Sequence, residues 1–147
     1  MRSLHSEIDR RVLIERVRRL TPDTMSQWGR MNAPLMVAHL TNAMAMATGE
    51  LPVRSKKHPV RLFPLKQLFI YVLPMPKNLP TAPELITRAP EPFNGEVEAF
   101  IAGLETFASR ARDFAWPAHP IFGAMSRRAW GTLAYRHCDH HLRQFGV

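Results

Sequence analysis

Apolar residues recur at the spacing of an α-helix in four separate stretches of this chain, and no stretch alternates as a half-buried strand does. The predicted helices cover about residues 6–20, 32–49, 94–114 and 126–144. Asn32 and Ser126 are suitable N-caps, and Gly49 is a suitable helix terminator. We therefore predict an all-α fold, a four-helix bundle that forms a single domain over residues 1–147.

The second and third predicted helices are separated by a proline-rich crossover, residues 51–92, which holds nine of the 13 prolines. A connection this long is unusual in a compact domain and typically covers a functional site or part of the core. Within it, RLFPLKQLFIYVL predicts a short helix packed on the bundle, and PMPKNLPTAPEL predicts an extended strap. The pattern is equally compatible with a lid and with a cap that only hides apolar surface.

The composition indicates a globular protein rather than a disordered one, because 46% of the 147 residues are hydrophobic and 22% are charged. The only cysteine is Cys138, which excludes an intramolecular disulfide and suits a reducing compartment. The N-terminal stretch is charged throughout, unlike a signal peptide, and the longest apolar run, LFIYVLPMP, is too short to span a bilayer. We expect a cytoplasmic protein with no membrane partner.

The net charge of +8 allows phosphate contacts with nucleic acid or with another anionic surface. No helix-turn-helix, zinc-finger or RNP-type motif accompanies the charge, and acidic and basic residues alternate in SEIDRRVLIERVRRL as they do on a solvated helix face. We therefore disfavour nucleic acid as the partner and expect a small molecule.

The last predicted helix concentrates three of the seven histidines. His137 and His141 are four residues apart, so they lie on one face, with Trp130, Leu133 and Ala134. On this projection, Arg136, Asp139 and Arg143 point the other way, and His140 lies at the edge of the histidine face. Two imidazoles at this spacing can ligate a single metal ion.

His39 is the best candidate for a third ligand. It lies on the apolar face of the second helix, with Leu35, Met36, Ala43 and Met46. Each histidine alone is also compatible with a core residue that is hydrogen-bonded to a backbone carbonyl. Three buried neutral imidazoles, however, each need a polar partner, and one metal ion satisfies all three.

Further residues are candidates for supporting roles. We consider His119, His140 and Gln144 as catalytic candidates. His119, which precedes Pro120, is better explained as ordering a loop than as reaching the metal or binding substrate. Asn42 and Gln144 lie near the stripes of the ligand histidines and are candidates for orienting them or for contacting substrate.

The remaining polar and aromatic residues near the histidines are expected to be structural. Cys138 is interpreted as a packing residue, Asp139 as a surface or dimer contact, and Trp28 and Trp130 as core or cavity wall. Tyr135 and Leu142 are placed on the outer flank of the fourth helix, where they would contact a second subunit or the strap.

The run YRHCDHHLRQF, with a histidine on the second helix and a proline-rich crossover, resembles the DinB/YfiT-like superfamily of four-helix bundles that hold a divalent metal with three histidines. WGRMNAPLMVAHL, PMPKNLPTAPEL and HPIFGAMSRRAWG are similar to a branch of unassigned activity, and the similarity covers nearly the whole chain. The resemblance implies that His39, His137 and His141 are the ligands. It also implies chemistry with a low-molecular-weight thiol, because some relatives are thiol-dependent transferases and isomerases.

Two hypotheses of different classes follow. In the first, three histidines hold Zn or Ni, and an open position activates water or a thiol in a transferase or hydrolase acting on a small molecule. In the second, a non-catalytic bundle, monomeric or homodimeric, contains a structural metal or a histidine cluster. Three clear ligands rather than four favour the first, since structural zinc is normally held by four protein ligands.

Overall fold

The regular structure in this protein is helical. The computed structural model describes residues 1–56, 58–78, 81–86 and 92–147. Its α-helices are α1 (Glu7–Val17), α2 (Ala33–Thr48), α3 (Leu65–Gln67), α4 (Phe93–Ser109) and α5 (Arg127–Gln144). Within these described ranges there is no β-strand, only one isolated bridge between His119 and Gly123. The predicted all-α class is confirmed.

The predicted helix signals act as expected. The side chain of Asn32 accepts a hydrogen bond from the backbone N–H of Leu35 at 2.9 Å, and Ser126 caps α5 through the N–H of Ala129. Gly49 ends α2 in the left-handed region, at φ +84°, where a residue without Cβ is favoured. Local sequence chemistry therefore sets these three helix ends.

Two helices are shorter than predicted. α1 ends at Val17 rather than at residue 20, and Ile8, although in the predicted apolar stripe, is 77% exposed. α4 ends at Ser109 rather than at residue 114, because Arg110 adopts an extended conformation and its guanidinium binds Glu50 at 2.7 Å. The following residues leave the helix axis, and Trp116 packs on Phe107, with ring centroids 4.7 Å apart. Burial of the Trp116 ring therefore accompanies the early end of α4.

A single large core lies between the four long helices. α2 packs against α4 and α5, and α1 packs against α5 and α4. The largest fully buried side chains of this core include Leu13, Met36, Leu40, Met44, Phe100, Leu104, Phe107 and Leu142. This packing fixes α2 beside α5, the two helices that carry the predicted ligands.

The chain before α1 crosses α5 at a glycine. The backbone N–H of Leu4 donates to the carbonyl of Gly131 at 3.1 Å. A Cβ on Gly131 would lie 2.4 Å from Ser3 Oγ and 2.6 Å from His5 Cδ2. Only a glycine allows this close approach, which seats Leu4 fully in the core.

The crossover between α2 and α4 forms short turns. They are a 3₁₀ turn, Pro59–Arg61, the short helix α3 continued by a π-helical turn, Leu68–Val72, and a second 3₁₀ turn, Pro83–Leu85. The predicted short helix is present, and its buried Ile70 packs on Ala129 and Leu133 of α5. The strap predicted to be extended instead contains the turn Pro83–Leu85, while residues 79–80 lie outside the described residues.

None of the helices in the described ranges combines the length and the hydropathy required to cross a membrane.

Candidate metal centre

Three histidine side chains that are far apart in the sequence meet between α2 and α5. His39 comes from α2, and His137 and His141 come from α5. One nitrogen from each ring lies within 4.8 Å of the other two, and the Nε2 atoms of His39 and His137 are 3.1 Å apart. The ring centroids are 4.8 to 5.0 Å apart, and the rings are steeply inclined to one another. Their nitrogens therefore converge on one point.

Helical spacing and core packing produce this arrangement. His137 and His141 are one turn apart on α5, as the sequence predicts. His39 is only 3% exposed and lies on the core side of α2 beside the buried Met36 and Leu40. His137 and His141 keep part of their surface accessible, so solvent can reach the cluster on the α5 side. The cluster therefore lies at the edge of the core: it is buried on the α2 side and accessible to solvent on the α5 side.

The three imidazoles are uncharged at neutral pH. Burial, with the nearby His141, lowers the pKa of His39 to about 3. Burial also lowers the pKa of His141 to about 4, and it lowers that of His137 well below the usual range, with His141 and His39 adding to the effect. A neutral imidazole has a free lone pair, which is the form that binds a metal ion.

Gln144 orients one of the three rings. Its Oε1 lies 2.9 Å from His141 Nδ1, so that nitrogen donates and Nε2 is left to face the cluster. The Gln144 amide nitrogen donates in turn to the backbone carbonyl of Trp28 at 2.7 Å. Because Gln144 is 4% exposed, both hydrogen bonds are shielded from water. The sequence-based prediction of a supporting role for Gln144 agrees with this contact, whereas the carbonyl of Trp28 has no sequence signal.

The other face of His39 meets the crossover. Its Nδ1 is buried without a well-formed hydrogen bond among the described residues, although the backbone carbonyl of Leu85 is close enough to raise the pKa of this imidazole slightly. Asn42 donates to the same carbonyl through Nδ2 at 3.1 Å. Asn42 therefore holds the Leu85 turn next to His39, as a residue that supports a ligand would.

His119 lies outside the three-histidine cluster. Its Nδ1 accepts hydrogen bonds from the backbone N–H groups of Ile121 and Phe122 at 3.1 and 3.2 Å. Burial, followed by the charges of Arg61 and Lys66, lowers the pKa of His119 to about 4. The structure thus shows His119 in the loop-ordering role and outside the three-histidine cluster.

His140 lies beside the cluster and lines a cavity. Its ring centroid is 5.3 Å from that of His141 and 5.8 Å from that of Trp28. The cavity has a volume of about 690 Å³, and its polar lining includes Gln27, Lys77, Arg136, Asp139, His140 and Arg143. None of the three candidate ligands lines this cavity, so Arg136, Asp139 and Arg143 point away from the ligand face, as the helical projection predicts. Lys77, 4.1 Å above the Trp28 ring, is a cavity residue that the sequence did not single out.

Some expectations for the flanks of α5 are wrong. Tyr135 and Leu142 are 2% and 0% exposed and belong to the core, so they offer no outer flank for a second subunit. Asp139, predicted to be a surface or dimer contact, accepts a hydrogen bond from Arg16 of α1 at 2.6 Å and so packs against a neighbouring helix of the same chain. The projection failed because α1, α2 and the crossover together cover more than one face of α5.

The remaining interpretations agree with the structure. Cys138 is fully buried, and this burial raises the pKa of its thiol, which therefore remains protonated and packs in the core. Trp130 is 2% exposed and donates from Nε1 to the carbonyl of Pro117 at 3.2 Å, whereas Trp28 forms part of the cavity wall.

Comparison with known proteins identifies the family of the chain. A family model described as "Protein of unknown function (DUF1569)" matches residues 2–146. Searches of curated proteins and of solved structures found no match to the chain.

Proposed function

This chain belongs to the DUF1569 family. From the geometry of its three-histidine cluster, we propose that it is a metal-dependent enzyme that acts on a small molecule as a transferase or hydrolase. The ligands would be His39, His137 and His141, and the ion would be Zn or Ni. We also propose that the fold is the four-helix bundle of the DinB/YfiT-like superfamily, with the long crossover between its second and third long helices.

The convergence of the three imidazoles carries this proposal. Two nitrogens bound to one tetrahedral zinc ion lie about 3.3 Å apart, because each Zn–N bond is about 2.0 to 2.1 Å. His39 and His137 present their Nε2 atoms at a separation of 3.1 Å. Three neutral imidazoles with low pKa values, one of them 3% exposed, therefore offer their lone pairs to one divalent ion.

The number of ligands supports a catalytic site over a structural one. Among the described residues, the cluster of potential ligands contains three histidines and no carboxylate or thiolate. A structural zinc site usually has four protein ligands, whereas a catalytic site has three and leaves one position for water or substrate. A divalent ion bound here would lower the pKa of a water or low-molecular-weight thiol and supply a nucleophile at neutral pH.

The chain's own residues suit the accompanying tasks. Gln144 fixes the tautomer of His141, so that His141 presents Nε2 to the centre. The His140 ring lies 5.3 Å from the ring of that ligand, centroid to centroid, so His140 is the candidate group for proton transfer next to the centre. The cavity of about 690 Å³ beside His140 has none of the three candidate ligands in its lining, so it adjoins the centre rather than containing it.

The decisive experiment is elemental analysis of tag-free protein prepared without nickel columns. We expect near-stoichiometric Zn or Ni in the wild type and less than a tenth of that amount in His137→Ala and in His141→Ala. His58→Ala is the matched control, because His58 is exposed and outside the cluster, and this variant should retain the metal of the wild type.

Metal-free wild-type protein that also fails to bind added Zn, Ni, Mn or Fe contradicts the proposal. The histidine cluster would then be a core feature of a non-catalytic protein. Stoichiometric metal without turnover in screens of thiol-dependent transfer and hydrolysis would instead favour a structural metal.

A further inference from the structure

The crossover exposes an unusual number of large apolar side chains. We name six of them the apolar patch: Leu62, Phe63, Leu65, Leu68, Val72 and Leu73. They are between 37% and 81% exposed and lie within twelve consecutive residues, whereas Met1, Ile8, Met25 and Ile86 are scattered. Clustered exposed apolar residues indicate an interaction surface, while single ones are normal.

The helical part of the patch has its apolar stripe on the outside. Leu65, Leu68 and Val72 follow at intervals of three and four residues, so they share one face of the segment from Leu65 to Val72. Ile70, on the opposite face, is 1% exposed and is seated against α5. The segment is thus anchored on one side and presents a second apolar side that the described part of the protein does not cover.

The same region is strongly cationic. Between residues 51 and 83 the sequence has six Lys and Arg residues and no Asp or Glu. Glu84, just beyond this stretch, interacts electrostatically with Arg54 and Lys56. Arg61 and Lys66, which adjoin the patch, form no ion pair among the described residues. An apolar surface bordered by unneutralised cations is typical of a segment that lies on an anionic membrane surface.

Backbone carbonyls of the loop that follows His119 hold several of these cationic residues beside the patch. The backbone N–H of Lys56 donates to the carbonyl of Pro120 at 2.9 Å, and the Arg61 guanidinium donates to Pro120 and Ile121. Lys66 Nζ donates to the carbonyl of Ala124. Because these acceptors are neutral, Arg61 and Lys66 keep their charge next to the apolar patch. Ile121, 38% exposed, extends the apolar surface on this loop.

We propose that the apolar patch and its flanking cations dock this protein on an anionic phospholipid surface, with the segment from Leu62 to Leu73 lying in the headgroup region. This docking is peripheral and revises the sequence-based expectation of no membrane partner. A second copy of the chain fits less well, because each copy carries a net charge of +8 and would bring another mainly cationic crossover to the contact. The surface does not depend on the metal centre.

The test is co-sedimentation of the full chain with sucrose-loaded vesicles. One set is phosphatidylcholine alone, and the other contains about one third phosphatidylglycerol. We expect binding to the anionic vesicles that weakens as salt is added, and negligible binding to phosphatidylcholine. The double variant Leu62→Ser/Phe63→Ser should bind anionic vesicles at least about tenfold more weakly, since two large apolar groups no longer enter the interface.

Matched variants distinguish the effect of the patch from that of removing any exposed apolar or cationic side chain. Ile8→Ser/Met25→Ser removes two equally exposed apolar side chains elsewhere and should bind as the wild type does. Arg54→Gln/Lys56→Gln should weaken binding by about fivefold for each cation removed. Arg19→Gln/Arg112→Gln removes two exposed cations outside the crossover and should have a much smaller effect.

Three outcomes overturn the proposal. They are no binding to anionic vesicles at low salt, equal binding by the Leu62→Ser/Phe63→Ser variant, and a wild-type dimer that this variant converts to a monomer. The last would show by light scattering that a second copy covers the patch. A far-UV circular dichroism spectrum and a Tm equal to those of the wild type would show that the variant is folded, whether or not the protein binds metal.

Discussion

At the scale of single residues, Gln144 links the candidate metal centre to the chain before α2. It accepts from His141 and donates to the carbonyl of Trp28, and it is buried. An amide can satisfy both partners at once because it carries an acceptor and a donor. The position of the His141 ring thus depends on a residue three positions further along α5 and on a loop carbonyl.

Replacing Gln144 with Leu should weaken metal binding without removing a ligand. Leu keeps the volume and loses both hydrogen bonds, so the His141 ring is free to rotate and to change tautomer. We expect the dissociation constant for Zn to rise by about 10 to 100-fold in a competition titration with a chelator. Gln67→Leu, at an exposed position, serves as the control. An unchanged constant in Gln144→Leu would show that His141 is held by other contacts.

His119 is expected to contribute to the pH dependence of stability. Its pKa is about 4 in the folded protein, against an ordinary value of 6.5. Because the folded pKa is the lower one, this contribution is fully present above about pH 6.5 and is lost as the pH falls toward 4. Between pH 7 and pH 4.5, the wild type should lose on the order of 2 kcal/mol more unfolding free energy than His119→Asn, whose amide oxygen can still accept from the loop.

Urea unfolding of both proteins in a chelator at the two pH values measures this difference. The chelator removes any contribution from bound metal. Equal losses in the wild type and in His119→Asn would mean that His119 is already accessible to protons in the folded state.

At the scale of elements, α5 holds the crossover in place through Arg136. The guanidinium donates to the carbonyls of Phe69, Ile70 and Leu73, and the first two contacts are 3.0 and 2.5 Å long. These carbonyls are at the end of the helical turn Leu68–Val72, where backbone acceptors lack partners within the turn. A positive side chain at this end satisfies them and also complements the helix dipole.

Arg136→Met should release the crossover without unfolding the core. Hydrogen bonds to a charged donor contribute about 1.5 to 3 kcal/mol, so local opening should become at least about tenfold more frequent. Trypsin cleavage after Arg61, Lys66 or Lys77 should accelerate by a similar factor, as measured by mass spectrometry of early fragments. Arg143→Met alters an exposed arginine on the same helix. Equal acceleration in that variant would argue against a specific clamp.

At the scale of the whole molecule, the candidate metal centre joins α2 to α5, and a bound ion would stabilise the fold. A ligand present at about 1,000 times its dissociation constant stabilises the native state by about 4 kcal/mol. For a chain of this size, chelation should therefore lower Tm by about 10 °C.

Calorimetry of the metal-loaded wild type, with and without chelator, measures this shift. His137→Ala should melt at one temperature under both conditions, because its centre lacks a ligand. A shift of the same size in His137→Ala would place the stabilising ion elsewhere.

The local features were predictable because they depend on neighbours in the sequence. Asn32 and Ser126 begin their helices through hydrogen bonds that span three residues, and Gly49 ends α2 through its preference for a left-handed backbone. The i and i+4 pair on α5 follows from helical periodicity alone. The buried side of α2 identified His39 as a residue facing the core. These facts were sufficient to name the three histidines as a set.

What the sequence by itself determined is therefore the all-helical class, the helix caps and the candidate ligands; the tertiary structure decided what surrounds them. Tyr135 and Leu142 are buried, and Asp139 pairs with Arg16, because several elements pack around α5 and a helical projection contains no information about partners. The carbonyl of Trp28 and the exposed apolar patch likewise depend on contacts over long separations. Such contacts result from close packing of the whole core, and local periodicity does not encode them.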